Sequence, residues 1–222
     1  MLLRRWKPPV RQSLSSEGVD FSLATRLSIQ QTHDQHDPGA AYACYRSGLD
    51  RGLKRPDEYN LLESALTEFE SWLPLAELLE RRAMSFVEDA QPALELATEI
   101  YLEKSPQRAG LIRVLRLRLE SGEIARWALD RLSVELEEDG QWSALRDVLD
   151  AFGDTPEDLI RVIRLERLLG EPDEARLRGL YERIWRLGGR CETYFAPLRR
   201  LYRVANDDVS LETLATYVAS EA

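Results

Sequence analysis

The chain has 222 residues, a formal net charge of -9 and a sequence pI of about 5.0, with 44% hydrophobic and 31% charged residues. So acidic a composition argues against nucleic-acid binding, which needs basic side chains to displace counterions. No run reaches the roughly 18 apolar residues of a membrane helix, and the N-terminus lacks the order of a signal peptide. We therefore expect a cytoplasmic protein that binds neither nucleic acid nor membrane.

Residues 1–40 differ in pattern from the rest of the chain. Arg4, Arg5 and Lys7 precede any acidic residue, and apolar residues between Val19 and Ile29 fall on odd positions. This period of two suggests a strand, although part of the stretch also fits a short helix. We predict a partly extended N-terminal arm, whose basic start is a candidate for protein binding or self-association.

Both histidines lie in this arm. His33 and His36 alternate with carboxylates, a combination that can bind a metal ion, but they precede a Pro-Gly breaker in a polar loop without a third ligand cluster. A solvated loop is the favoured interpretation. Cys44 and Cys191 have no metal-type spacing. We therefore predict no metal site, no cofactor and no catalytic residue.

Residues 41–222 read as one all-α repeat domain. Leucine (37 residues) outnumbers isoleucine and valine together (17), and leucine favours helices whereas β-branched residues favour strands. Thr155, Pro156 and Asp158 form a helix-start signature, and Gly170 closes the same helix. Short loops between helices of similar length force antiparallel neighbours, hence stacked hairpins. The predicted helices are 41–53, 57–70, 72–87, 90–103, 106–119, 122–137, 141–152, 156–169, 172–187, 191–204 and 208–220.

A sequence repeat supports the hairpins. Trp72 with Leu75 aligns with Trp142 and Leu145, 70 residues later, which is two periods of about 35, a helical-hairpin repeat length. Residues three apart lie along one helix face, so each tryptophan can wedge against the preceding helix. We expect both tryptophans to be largely buried between helices.

The residues before Trp142 complete a known pattern. Ala125, Leu129 and Leu132 follow one another at spacings of four and three. Together with the Trp-Leu pairs, they resemble the tetratricopeptide-repeat (TPR) family, in which helix A opens with Trp and Leu and helix B carries a small residue before larger apolar ones. Arg146 departs from the small residue of that pattern, and the family's proline near the end of helix B is missing. The resemblance implies a TPR-like α-solenoid that binds peptides or domains on its concave face.

Charged residues on these helices are the candidate binding residues. Glu77, Glu80 and Arg81 extend from the helix of the first tryptophan, and Asp147 and Asp150 occupy the positions equivalent to the two glutamates. In the resembled family such positions can face the concave groove. An ordinary solvated face is the alternative.

Acidic residues concentrate between Glu135 and Asp158, where nine acids accompany one base, Arg146. Glu137 and Glu138 end a helix, where the helix dipole already places negative charge. We expect this acidity to be uncompensated. It therefore predicts a surface for a basic partner, or for the basic arm of a neighbouring copy, with a solvated face as the alternative.

Two further groups of residues, three arginines and five C-terminal aromatic residues, each have a structural and a functional interpretation. Arginines near residue 115 either line an anionic groove or pair with neighbouring acids. Aromatic residues near the C-terminus form either core or an exposed, sticky end. The first group is Arg113, Arg116 and Arg118; the second is Tyr181, Trp185, Tyr194, Phe195 and Tyr202.

The leading hypothesis is a non-catalytic protein-binding adaptor or scaffold that uses the concave face and the N-terminal arm. A structural subunit of a larger oligomeric assembly is the alternative. A metal-dependent enzyme, which would need His33 and His36 to be organised by the fold, is a distant third.

Overall fold

The computed structural model describes residues 43, 46, 56–122, 126–170, 173–188 and 192–220. Within these ranges every regular element is helical and no strand occurs, which confirms the all-α prediction. The N-terminal arm and its histidines lie outside the described residues. Numbered from the first helix with described bounds, the helices are α1 (Pro56–Glu68), α2 (Trp72–Ser85), α3 (Ala90–Glu99), α4 (Arg108–Glu120), α5 (Arg126–Glu138), α6 (Trp142–Phe152), α7 (Pro156–Leu169), α8 (Glu174–Arg186), α9 (Glu192–Val204) and α10 (Asp208–Ser220).

A local sequence signal places the start of α7. The Thr155 hydroxyl accepts a hydrogen bond from the Asp158 N–H (3.2 Å), and the Asp158 carboxylate accepts one from the Thr155 N–H (3.3 Å). This reciprocal capping box, with Pro156 in the first turn, starts α7 at the predicted residue. By contrast, α3 continues as a π-helix over Ile100–Lys104, which the sequence pattern does not indicate.

The described helices group into two compact units, one ending at Gln107 and one beginning at Arg108. Helices α1–α3 belong to the N-terminal unit and α4–α10 to the C-terminal unit. Within each unit every helix packs against the next one along the chain, as stacked hairpins require. Fully buried leucines fill the interior of each unit: Leu62, Leu66, Leu75, Leu79 and Leu94 in the first, and Leu115, Leu132, Leu136, Leu145 and Leu149 in the second.

The helices recur at a regular interval. Alternate helices start 30 to 36 residues apart, with the shortest interval between Arg126 and Pro156 and an interval of 34 between Arg108 and Trp142. This interval agrees with the period of about 35 residues that the tryptophan repeat predicts.

The turns before α2, α6 and α10 share one geometry. A residue with a left-handed backbone ends the preceding helix in each: Glu70 (φ 50°), Gly140 (φ 68°) and Asn206 (φ 53°). The following residue donates its N–H to the carbonyl five residues earlier, at 2.8–3.0 Å, which is the Schellman arrangement. The 70-residue repeat is thus a repeat of turn geometry. The same turn recurs 66 residues later at Asn206, where no tryptophan follows.

The prediction that both tryptophans are largely buried is wrong for Trp142, which is 39% exposed. Trp72 is partly buried. Trp142 is the first residue of α6, so only part of its side chain reaches the preceding helix. The interior positions of α6 are filled instead by Leu145, Val148 and Leu149.

Candidate protein-binding groove

The acids at the end of α5, predicted to be uncompensated, are paired with arginines. Glu138 accepts a hydrogen bond from Arg108 of α4 (2.5 Å) and Glu137 accepts one from Arg161 of α7 (3.0 Å). These partners lie 30 and 24 residues away in sequence. The expectation of uncompensated repulsion is therefore wrong, because the packing of neighbouring helices supplies the cations.

Asp150 is a second acid that the fold neutralises. Its carboxylate accepts hydrogen bonds from Arg176 (2.7 Å) and Arg183 (2.5 Å), both on α8. Partial burial favours the neutral acid, but the hydrogen bonds from the two guanidinium groups outweigh it, so the pKa of Asp150 lies below its usual value. Asp150 therefore links α6 to α8.

Asp158 is the most buried of these acidic residues. It is 1% exposed and meets Arg126 of α5 through two hydrogen bonds, at 2.5 and 2.9 Å. Burial raises the pKa of this carboxyl, yet the bonds from Arg126 and Thr155 prevail and lower it. Arg126 also reaches the exposed Asp154 at 2.9 Å.

We call these contacts the acid–arginine network. Its members are Arg108 with Glu135 and Glu138, Arg126 with Asp130, Asp154 and Asp158, Arg131 with Glu135, Arg161 with Glu137, Arg146 with Asp147 and Glu166, Arg176 with Asp150 and Glu166, and Arg183 with Asp150.

The other predicted binding residues occupy different surroundings. Glu80 is 7% exposed and accepts a hydrogen bond from the Tyr101 hydroxyl (2.5 Å), so its carboxylate lies inside the N-terminal unit. Glu77 is partly buried and Arg81 is exposed, both on α2. Asp147 is exposed and pairs with its neighbour Arg146 (2.7 Å). The structure does not bring these residues together into one site.

Arg118 and the C-terminal aromatic residues are mainly structural. Arg118 is buried and lies over the Trp127 ring, 4.7 Å from its centroid. The Trp185 ring lies 5.0 Å from that of Phe195 and 4.9 Å from that of Tyr217. These contacts hold α8, α9 and α10 together.

A groove between α8, α9 and α10, of about 350 Å³, runs beside this aromatic cluster. Its polar groups already have partners, since the Tyr202 hydroxyl donates to Glu182 (3.2 Å). Burial, followed by the charge of Glu182, raises the pKa of Tyr202 to about 12. Arg186 also lies 3.7 Å from Glu182. These internal pairings leave little for a partner to bind.

A second groove, between α7, α8 and α9, is open and differently lined. It has a volume of about 630 Å³, within the range of roughly 300–1,000 Å³ common for binding pockets. We call it the α7–α9 groove. Its apolar residues are Leu177 and Tyr181 of α8 and Ala196, Pro197 and Leu201 of α9.

The sequence of α9 explains why this hollow exists. Ala196 is exposed and has only a methyl group, and Pro197 lies inside the helix with a short, rigid ring. These short side chains leave Leu177 of α8 partly exposed, whereas Tyr181 of α8 and Leu201 of α9 are buried, at 6% and 9% exposure. The accessible apolar surface of the α7–α9 groove therefore comes mainly from Leu177, Ala196 and Pro197.

The rim of the α7–α9 groove carries two exposed arginines. Arg167 of α7 and Arg200 of α9 are both exposed, and neither forms an ion pair with any described residue. Arg164 and Arg203, one helical turn away on the same two helices, are also exposed and unpaired within the described ranges. Among the described lining residues, Glu174 supplies the only carboxylate.

The amino-acid sequence alone does not predict this groove, although part of its signal is readable in α9. Between Glu192 and Asp207 the chain has three arginines and no acid, so Arg200 has no carboxylate one turn away on its own helix. Arg167, in contrast, lies in an α7 sequence rich in both signs of charge. Only the packed helices show that it and Arg200 border the same hollow.

Two other kinds of site are absent from the described part of the chain. None of its helices combines the length and apolar character needed to span a lipid bilayer, and no three of its histidine, cysteine, aspartate or glutamate residues are grouped to hold a metal ion. Comparison with models of protein families gives no match, and neither does comparison with curated protein sequences.

Proposed function

We propose that this protein is a non-catalytic adaptor or scaffold of the cytoplasm that binds another protein in the α7–α9 groove. Its helical hairpins belong, in this proposal, to a divergent TPR-like repeat. The regular spacing of the helices and the repeated turn before α2, α6 and α10 support that assignment. A contribution from the arm residues Arg4, Arg5 and Lys7 stays a prediction.

One observation carries the proposal. Arginines along α4–α8 form ion pairs that connect neighbouring helices, whereas Arg167 and Arg200 border an open apolar hollow and have no ion pair among the described residues. An apolar floor with a few charged groups at its edge is the usual composition of a binding site. The apolar floor supplies the free energy of burial and the charges fix the orientation of the bound segment.

Site-specific photo-crosslinking in the native cell tests this function. The crosslinking amino acid replaces Ala196 in the groove or, as a matched control, Ala151, which is also an exposed helical alanine of the C-terminal unit. We expect position 196, and not position 151, to give a discrete adduct with one protein. Mass spectrometry identifies that protein, and the complex is then rebuilt from purified components.

The adducts also separate this proposal from its alternative. An adduct between two copies of this chain at position 196 would favour a structural subunit of a larger assembly. Equal labelling at both positions, or no adduct at either, would contradict binding in the groove.

A further inference from the structure

We propose that the segment held in the α7–α9 groove is an acidic amphipathic helix of a partner protein. This inference rests on the proposed function, since it names the chemistry of the partner at the same site. It reverses the expectation of a basic partner, because that expectation depended on acids that prove to be paired.

The shape of the floor suits a helix. Leu177 and Tyr181 lie one turn apart on α8, and Pro197 and Leu201 lie one turn apart on α9. The two lining residues of each helix are four positions apart, about 6 Å of helical rise, and Leu177 and Pro197 are the more exposed members of the two pairs. An incoming helix presents apolar side chains at the same interval, so its i and i+4 residues can contact Leu177 and Pro197.

The rim selects the charge of the bound helix. Arg167 and Arg200 outnumber Glu174 among the charged lining residues, and Arg164 and Arg203 lie about one helical turn from them on α7 and α9. The Debye length at physiological ionic strength is about 8 Å, so the charges that line the groove contribute most to the potential there. Carboxylates that flank the apolar stripe of a partner helix would pair with them.

Other occupants fit the groove less well. The N-terminal arm begins with Arg4, Arg5 and Lys7, which would meet like charge at the rim. Nucleic acid can pair with arginines through its phosphates, but it would leave the apolar floor uncovered. These occupants are outcomes that the test distinguishes.

The test measures binding of three fluorescein-labelled peptides to the full chain by fluorescence anisotropy. Each peptide is an amphipathic helix of about 16 residues, long enough to populate a helix in water, with leucines along one face. The flanking residues are glutamate in the first peptide, glutamine in the second and lysine in the third. We expect the glutamate peptide to bind about tenfold more tightly than the glutamine peptide, and the difference to shrink as salt increases.

Charge reversal at the rim provides the variants. Arg200→Glu should weaken binding of the glutamate peptide about tenfold and strengthen binding of the lysine peptide. The matched control is Arg46→Glu, which makes the same charge change at an exposed helical arginine of the N-terminal unit and should leave all three affinities unchanged. Both arginines are exposed, and a circular dichroism spectrum verifies that each variant folds.

Several outcomes would overturn the inference. They are equal affinity for the glutamate and glutamine peptides, preference for the lysine peptide, an equal effect of Arg46→Glu, or displacement of the glutamate peptide by RNA rather than by excess unlabelled peptide. A specific crosslink at position 196 to a basic or uncharged segment would refute the acidic helix and leave the protein-binding function standing. Absence of any crosslink would refute the function itself.

Discussion

Arginine has different roles in the acid–arginine network and at the α7–α9 groove. In the network, arginines such as Arg126 and Arg183 reach carboxylates on other helices, and each contact joins two layers of the stack. At the groove, Arg167 and Arg200 lie on neighbouring elements of the same stack without an ion pair among the described residues. Whether an arginine holds the fold together or remains available to a partner thus depends on what the next helix places opposite it.

Among the substitutions that distinguish the network from the groove, the largest loss of stability is expected at Asp158. Replacement by alanine removes the carboxylate that accepts the Thr155 N–H in the α7 capping box, and it leaves Arg126 without its buried partner. We expect Asp158→Ala to lower the free energy of unfolding by about 2–3 kcal/mol, measured by urea denaturation.

Asp154→Ala is the matched control, since Asp154 pairs with the same arginine but is exposed. An exposed pair contributes about 0–1 kcal/mol, so the control should remain close to the wild type. Equal losses in both variants would show that the burial and capping of Asp158 add nothing to its ion pair.

A change in pH is expected to have a smaller effect on the free energy of unfolding. This effect arises in the acid–arginine network and not at the α7–α9 groove. The pKa values of Asp150 and Asp158 are lower in the folded protein than the usual 3.8. At a pH between the folded and the unfolded pKa of such a carboxyl, the unfolded chain therefore binds more protons than the folded chain. This stabilisation is fully present above the usual pKa and is lost as the pH falls through the lower, folded pKa.

Urea midpoints from pH 6 down to acidic pH test this dependence. Asp158→Asn should flatten the decline in stability at low pH, because the amide cannot titrate. Arg167→Ala should keep the wild-type profile. A wild-type profile in Asp158→Asn would show that this carboxyl contributes nothing to acid denaturation.

The smallest effect on stability is expected at the groove itself. Arg167→Ala and Arg200→Ala remove exposed cations without breaking any ion pair among the described residues, so each should change the free energy of unfolding by no more than about 0.5 kcal/mol. Thermal melting followed by circular dichroism measures this change. A loss as large as that of Asp158→Ala would assign these arginines to the network and remove the contrast between the two regions.

Local sequence determined the helices of this protein. Thr155, Pro156 and Asp158 started α7 at the predicted residue, and the predicted range 156–169 is the observed one. Gly140 supplied the left-handed residue that ends α5. These features depend on residues within about four positions of one another, so their hydrogen bonds and backbone preferences are readable without knowledge of the fold.

Tertiary structure alone decided which charges are neutralised, how far Trp142 is covered and where a groove opens. The partners of Glu137 and Asp150 come from 24 to 33 residues away, a separation at which helical spacing carries no information about distance. Local charge counting therefore predicted a repulsive acidic surface where packed helices form ion pairs. For the same reason the sequence did not show that Arg167 and Arg200, on α7 and α9, border one apolar floor: the hollow is defined by the side chains of three helices packed together.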